Sequence, residues 1–112
     1  MPIKFDPKTN IFKLDTDVST YAFMVYEQGY LVHLYYGPKV PDTDLSHLMY
    51  RGWYDSLSPR NPKVQDKRFS LDSIPQELPG NSTGDFRISA IEAVAPAGDS
   101  VTDLRYAGYK IH

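Results

Sequence analysis

The chain has 112 residues, enough for one small domain, and carries no cysteine, so a disulfide framework and a thiolate metal site are both excluded. Hydrophobic residues make up 41% and charged residues 23%, with a net charge of −2. That is ordinary globular material without the basic surplus a nucleic-acid partner would require. No apolar run approaches the roughly 20 residues of a membrane helix, and the start lacks a charged region followed by an apolar one, so neither a membrane anchor nor a secretory signal is expected. With cysteine absent as well, a cytoplasmic location is the expectation.

Along the chain, Lys8-Thr9-Asn10 is a turn signal, Ile11–Leu14 is short and strand-like, and Asp15-Thr16-Asp17 is a second turn. Tyr21–Gly37 organises the rest. Tyr21, Phe23 and Val25 alternate with Ala22, Met24 and Tyr26, Glu27-Gln28-Gly29 interrupts, and Tyr30–Tyr36 is almost wholly apolar or aromatic. Aromatic and β-branched residues between Gly and Pro punctuation predict a β-hairpin with Gly29 supplying a positive φ in the loop. The second strand is apolar in both registers, which predicts a strand covered on both faces at the centre of a sheet.

From Pro38 to Asp66 four prolines break the pattern, and we expect one long irregular loop with a helical turn at Leu45–Leu48 capped from Asp42-Thr43-Asp44. Lys67–Asp72 alternates like a strand, and Ser73–Thr83 is loop. Arg87–Val94 alternates again. A helix is open there, but strand is preferred, because Pro96-Ala97-Gly98-Asp99 then forms a hairpin loop and Leu104–Ile111 its partner. That last strand runs to the end of the sequence, which leads us to expect a piece of something longer. The fold class expected is all-β: an antiparallel β-sandwich, as a single domain over 1–112 that forms part of a larger one.

Catalytic chemistry is sparse. His33, His47 and His112 share no metal-ligand spacing, so neither metal nor cofactor is expected, and no nucleophile motif or phosphate loop occurs. His33 in an apolar strand reads as a hydrogen-bonded core or interface histidine. The scattered aspartates sit mostly in turns, where Asp bonds its own backbone. Asp85-Phe86-Arg87 stands apart as an acid and a base flanking an aromatic ring, with an ion pair or loop anchor as the ordinary explanation and a ligand-binding Arg as the alternative.

In order along the chain, Ile3–Thr9 with Phe12 and Leu14, then Ser19-Thr20-Tyr21, Gly29-Tyr30-Leu31 with His33 and Tyr35-Tyr36-Gly37 match a known pattern. Phe69–Asp72, Gln76–Pro79, Gly84–Arg87 with Ala90, and Thr102–Tyr106 continue it. The sequence resembles the amino-terminal domain of bacterial α-galactosidases of glycoside hydrolase family 36, the raffinose- and melibiose-cleaving type. The resemblance implies a β-sandwich preceding a (β/α)8 barrel that carries both catalytic aspartates of a retaining mechanism. No catalytic residue then lies in this chain, its partner is the remaining polypeptide with its barrel, and the fragment alone is inactive. It implies a homo-oligomer too, with a loop of this domain reaching a neighbouring subunit's sugar pocket. The matching stretch is Arg51–Ser58. The family pattern often has an Asp near an Arg there, whereas this sequence offers Arg51, Trp53, Tyr54 and Asp55 with Asp55 not cleanly aligned. These four are the candidate substrate-binding residues, Trp53 either stacking on a sugar or packing under the loop. The alternative function is a free-standing carbohydrate-binding or oligomerisation β-module, to which nine tyrosines lend themselves.

Overall fold

The computed structural model describes residues 2–52, 69–80 and 84–112. The fold is all-β and antiparallel, as expected, with no helix longer than a single 3₁₀ turn among the described residues. Four strands, β1 (Ile3–Asp6), β2 (Ile11–Asp15), β3 (Ser19–Val25) and β4 (Leu31–Pro38), form one sheet in the order β1-β2-β3-β4. By contacts the chain divides into two compact units, one comprising Met1–Tyr50 with Arg105–His112 and the other Arg51–Leu104.

Each turn of the first unit has a local cause. After β1, Asp6 accepts hydrogen bonds from the Lys8 amide and the Thr9 hydroxyl, each 2.9 Å, and Asn10 takes a φ of 56°, which a short amide side chain tolerates. After β2, the Thr16 hydroxyl accepts from the Val18 and Ser19 amides. Between β3 and β4 the loop Glu27–Gly29 is closed by Tyr26 donating to the Tyr30 carbonyl at 2.8 Å, with Gln28 at φ 64° and Gly29 at φ 82°. Gly29 thus does what its position in the sequence implied.

The register makes the sheet two-faced. Lys13 faces Ala22, and Ile11 faces Met24, on one side; Phe5, Phe12, Phe23 and His33 lie in one row on the other. A bulge between Ala22 and Phe23 leaves Leu34 extra, so Leu34 and Tyr35 both serve the first side. That side packs Ile11, Ala22 and Leu34 against Leu45, with Val40 and Met49 at its margin. The other side is aromatic. Phe12 lies 4.5 Å from Phe5 and 5.0 Å from Phe23, and Tyr21 meets His33 at 5.6 Å and Tyr36 at 6.2 Å between ring centroids. Arg105–His112 returns to this unit. Tyr109 sets its ring edge-on to Phe12 at 5.1 Å, Tyr106 donates its amide to the Gly29 carbonyl at 2.7 Å, and the Arg105 guanidinium stands 5.0 Å from the Tyr30 ring.

Three expectations about strands need correction. β4 is an edge strand of the described sheet, and its burial alternates, with Val32 and Leu34 buried and Tyr36 exposed. The bulge, more than a second covering layer, explains why its apolar residues fall in both registers. Arg87–Val94 forms no strand beyond a parallel bridge of Ile91 to Gly80, and Leu104–Ile111 is extended chain without a ladder. Lys67 and Arg68 lie outside the described residues, and in the remainder of the expected strand the backbone turns into a 3₁₀ segment, Leu71–Ser73, with the Ser73 hydroxyl donating to the Ser70 carbonyl. The helical turn near Leu45 is present as Ser46–Leu48, with Asp44 accepting from the Ser46 amide at 2.8 Å. Ile3–Asp6 is a strand that the sequence analysis did not mark.

Phe12 is 5% exposed and touches four other rings, so replacing it empties the centre of the aromatic side. Phe12→Ala is expected to cost about 3–5 kcal/mol. Urea denaturation followed by tyrosine fluorescence measures this, and a midpoint unchanged from the parent would refute the central placement of that ring.

Candidate functional site

The candidate sugar-contacting segment begins at Arg51. Trp53, Tyr54 and Asp55 lie outside the described residues. Arg51 and Gly52 form the described stem of that segment, and the second unit holds it firmly. The Gly52 amide donates to the Ser73 carbonyl at 2.8 Å, and the Arg51 guanidinium stands 5.7 Å from the centre of the Phe69 ring. Phe69, Leu71 and Ile74 are buried at 4%, 7% and 1% exposure, so the stem rests on the small core of its unit. Ser73 is fixed by its own hydroxyl, which donates to the Ser70 carbonyl at 2.7 Å, and Ser70 bonds the Asp72 carboxylate.

Asp85 and Arg87 complete that core. Asp85 is 4% exposed and accepts from the Arg87 Nε at 2.8 Å and Nη2 at 2.7 Å, a two-pronged contact, and from the Gln76 amide at 2.6 Å. The same guanidinium donates to the carbonyls of Ile74 and Leu71, each at 2.8 Å. The pair is therefore an ion pair and loop anchor, the ordinary explanation offered by the sequence. Every one of these donors faces a protein acceptor, so the geometry is that of a clamp. Nearby, Ala90 donates to the Pro79 carbonyl, and a Cβ built on Gly80 would come within 2.5 Å of the Thr102 carbonyl oxygen, which excludes a side chain at that crossing.

The first unit carries a second polar cluster, which the sequence analysis missed. Lys13 is buried on the sheet with its Nζ 3.0 Å from Asp15, 2.8 Å from Asp42 and 2.8 Å from the Val40 carbonyl. Asp15, also buried, accepts from the Thr20 hydroxyl, and Thr20 in turn accepts from the Val40 amide at 3.2 Å. Lys4 closes the cluster on the outer side of Asp42. Burial pulls the Lys13 ammonium down, but Asp42 and Asp15 outweigh it and leave its pKa raised. The Thr20 hydroxyl and then Lys13 hold Asp15 below the usual carboxylate range, and Lys13 and Lys4 hold Asp42 down at about 2. A lysine and an aspartate two apart in Lys13-Leu14-Asp15 project from one face of a strand, and that spacing was the available signal.

Beside this cluster lies an open cleft of about 430 Å³, bordered by Lys4, Asp6, Thr9, Asp42 and Asp44. Its carboxylates are engaged: Asp6 and Asp44 in their turns, Asp42 with two lysines. Glycoside hydrolysis needs two carboxyl groups facing each other across a bond, and this cleft does not present such a pair. Among the described residues no group of three or more His, Asp or Glu stands together as a metal site, and no helix is long and apolar enough to cross a membrane.

The profile of the "Glycosyl hydrolase family 36 N-terminal domain" matches residues 29–112. The chain is 34% identical over 112 residues to the α-galactosidase AgaA of Geobacillus stearothermophilus, covering all of this chain and 15% of that enzyme. It superposes on the galactosidase domain of the α-galactosidase-sucrose kinase AgaSK with a TM-score of 0.85 and 32% identity, covering 97% of this chain and 15% of that one. It also matches a crystal structure of AgaA in complex with raffinose, with a TM-score of 0.73 and 36% identity over 88% of this chain and 13% of that one. The chain thus spans a small fraction of the length of the proteins it is similar to.

The charge cluster sets an acid limit on stability. Asp42 and Asp15 have folded pKa values below the ordinary 3.8, so their contribution is fully present above about 3.8 and is lost as pH falls toward the folded value, about 2 for Asp42. Unfolding by acid is expected within that window, and Lys13→Met, which removes the ammonium that Asp15 and Asp42 share, is expected to lower stability at neutral pH and to shift the acid midpoint. Circular dichroism against pH on both proteins checks this; superimposable acid transitions would contradict it.

Proposed function

The chain belongs to the glycosyl hydrolase family 36 amino-terminal domain family, and from that membership we propose that it is the noncatalytic amino-terminal β-domain of an α-galactosidase acting on terminal α-galactosides such as melibiose and raffinose. One observation carries the reading: the whole chain aligns with about 15% of an α-galactosidase. A (β/α)8 barrel takes about 250 residues, more than twice this chain, so the hydrolytic machinery resides in other polypeptide. The cleft of the first unit agrees, since its carboxylates are all committed to turns or lysines.

Within the enzyme the domain supports the barrel, contributes to contacts between subunits, and offers Arg51 with Trp53, Tyr54 and Asp55 to a sugar pocket. The stem of that segment favours this role, because Gly52 bonded to Ser73 and Arg51 over Phe69 fix where the segment begins. A rigid base is what a loop needs if it is to meet a ligand at low entropic cost. The absence of cysteine fits an enzyme of the reducing cytoplasm.

The purified chain is expected to show no hydrolysis of an aryl α-galactoside, whereas a chimera in which it replaces the matching stretch of AgaA is expected to hydrolyse it. Turnover by the chain alone overturns the reading. In the chimera, Trp53→Ala is expected to raise KM for raffinose severalfold at constant kcat, the pattern of a lost binding contact. An unchanged KM removes Trp53 from the pocket. Calorimetric titration of the chain alone with raffinose distinguishes a free-standing carbohydrate-binding module, which would release or absorb heat, from a scaffold, which would not.

A further inference from the structure

The turn that receives the start of the candidate sugar-contacting segment is itself held from a distance. Gly52 donates its amide to the Ser73 carbonyl at 2.8 Å, and the Arg51 guanidinium lies over the Phe69 ring. Both contacts fall on one short piece of chain, 69–74, which carries the 3₁₀ turn Leu71–Ser73. A turn of three residues leaves most of its carbonyls without a helical partner. Arg87 supplies two of the missing donors: Nη2 to the Leu71 carbonyl and Nη1 to the Ile74 carbonyl, each at 2.8 Å. The guanidinium thus grips the turn at its first residue and at the residue just past its last, and the Ser73 carbonyl that holds Gly52 lies between the two grips. Asp85 fixes the plane of the guanidinium by accepting from Nε at 2.8 Å and Nη2 at 2.7 Å, and its side chain is 1% exposed. Gln76 ties that carboxylate back to the same stretch of chain at 2.6 Å. An anchor for the 85–87 loop alone would need only the Arg87 amide and the acid, 3.1 Å apart. This one reaches 13 and 16 residues back.

We propose that Asp85 and Arg87 are positioning residues for sugar binding, acting through the turn Leu71–Ser73 to hold Arg51 where it meets an α-galactoside. This rests on the reading of Arg51 as a sugar-contacting residue of an α-galactosidase. Asp85 and Arg87 act through Gly52 and Phe69 and do not themselves touch the sugar. The chemistry of the ligand makes such support matter. Sugar hydroxyls are recognised by directional hydrogen bonds, which weaken steeply as their angle departs from linear, so a guanidinium serves only if its base does not shift. A base held in advance also spares the ordering cost that a loose segment meets on binding. Lysine cannot take over from Arg87, because an ammonium lacks the planar fork that spans a carboxylate and two carbonyls together.

The test uses the chimera with AgaA and two readouts, raffinose kinetics and hydrogen exchange at the Gly52 amide, followed by mass spectrometry on overlapping peptides. Arg87→Lys is expected to raise KM by roughly threefold to tenfold at constant kcat, the scale of one weakened hydrogen bond, and to speed exchange at Gly52. Arg51→Ala is expected to raise KM by itself. In the Arg51→Ala background, Arg87→Lys is expected to leave KM where it is, because the group it positions has been removed. An unchanged KM for Arg87→Lys overturns the proposal. So does a rise of the same size in both backgrounds, which is what a merely structural role would give. If Arg87→Lys fails to fold, Asp85→Asn, which keeps the shape of the acid and one acceptor oxygen, is judged by the same two readouts. Failure of the functional reading looks different: Arg51→Ala leaves KM unchanged, or the parent chimera folds without hydrolysing an α-galactoside. Exchange at Gly52 then decides the clamp alone, and equal protection in the parent and Arg87→Lys overturns it.

Discussion

The sheet is apolar on both faces, and a sheet of four strands with two apolar faces must be covered twice. The inner strands β2 and β3 impose this. Ile11 and Ala22 look one way, and Phe12 and Phe23 the other. One cover is the segment from Val40 to Met49, which brings Leu45 onto Ala22 and Leu34. The other includes the end of the chain, whose Tyr106 and Tyr109 meet Phe12. Residues nearly a hundred positions apart in sequence are thus drawn into one unit by the same strand.

A buried lysine decides where the first cover lies. Apolar packing tolerates sliding, since Leu45 could meet several neighbours on the sheet at similar energy. Lys13 does not tolerate it. Its ammonium takes the Val40 carbonyl and the Asp42 carboxylate from the crossing segment and Asp15 from its own strand, and a slip of one residue would strand a charge in a dry place. A well-packed apolar trio could match the cluster in stability, so its distinctive contribution is position. Thr20 reinforces the assignment by bonding both Asp15 and the Val40 amide.

Much of the first unit was legible because its signals are local. Alternation from Tyr21 to Val25, Gly29 in the hairpin loop, and Asp44 accepting from the Ser46 amide each depend on residues close in sequence. The misreadings share a physical origin. Arg87–Val94 and Leu104–Ile111 alternate as strands do, yet a strand is a pairing, and periodicity carries no information about whether a partner edge is available. Ile88 and Val94 accordingly lie exposed. β1 escaped notice because Lys4 and Asp6 interrupt its apolar pattern; the structure puts their charges to use, Lys4 on Asp42 and Asp6 in the turn that follows. At the candidate site, Asp85-Phe86-Arg87 stood out in the sequence and proved to be a loop anchor, while what holds Arg51 and Gly52 in place, the Phe69 ring and the Ser73 carbonyl, is distant in sequence.

The second unit keeps its shape by a different means from the first. Among its described residues it has isolated bridges in place of a ladder, and backbone groups that a strand would have paired are met by side chains. Arg87 alone satisfies two carbonyls and a carboxylate, so one guanidinium performs the work of several ladder bonds. Among the described residues of this unit, Leu78, Phe86, Ile88, Val94 and Val101 are exposed while Phe69, Leu71 and Ile74 are buried. An isolated globular protein of this size would be expected to bury a larger share of those side chains. Here the polar contacts hold loops in place, with Arg87 tying Asp85 to the carbonyls of Ile74 and Leu71, while these apolar side chains stay uncovered. The stem of Arg51 and Gly52 is held in the same manner, by a backbone hydrogen bond to Ser73 and a guanidinium over the Phe69 ring.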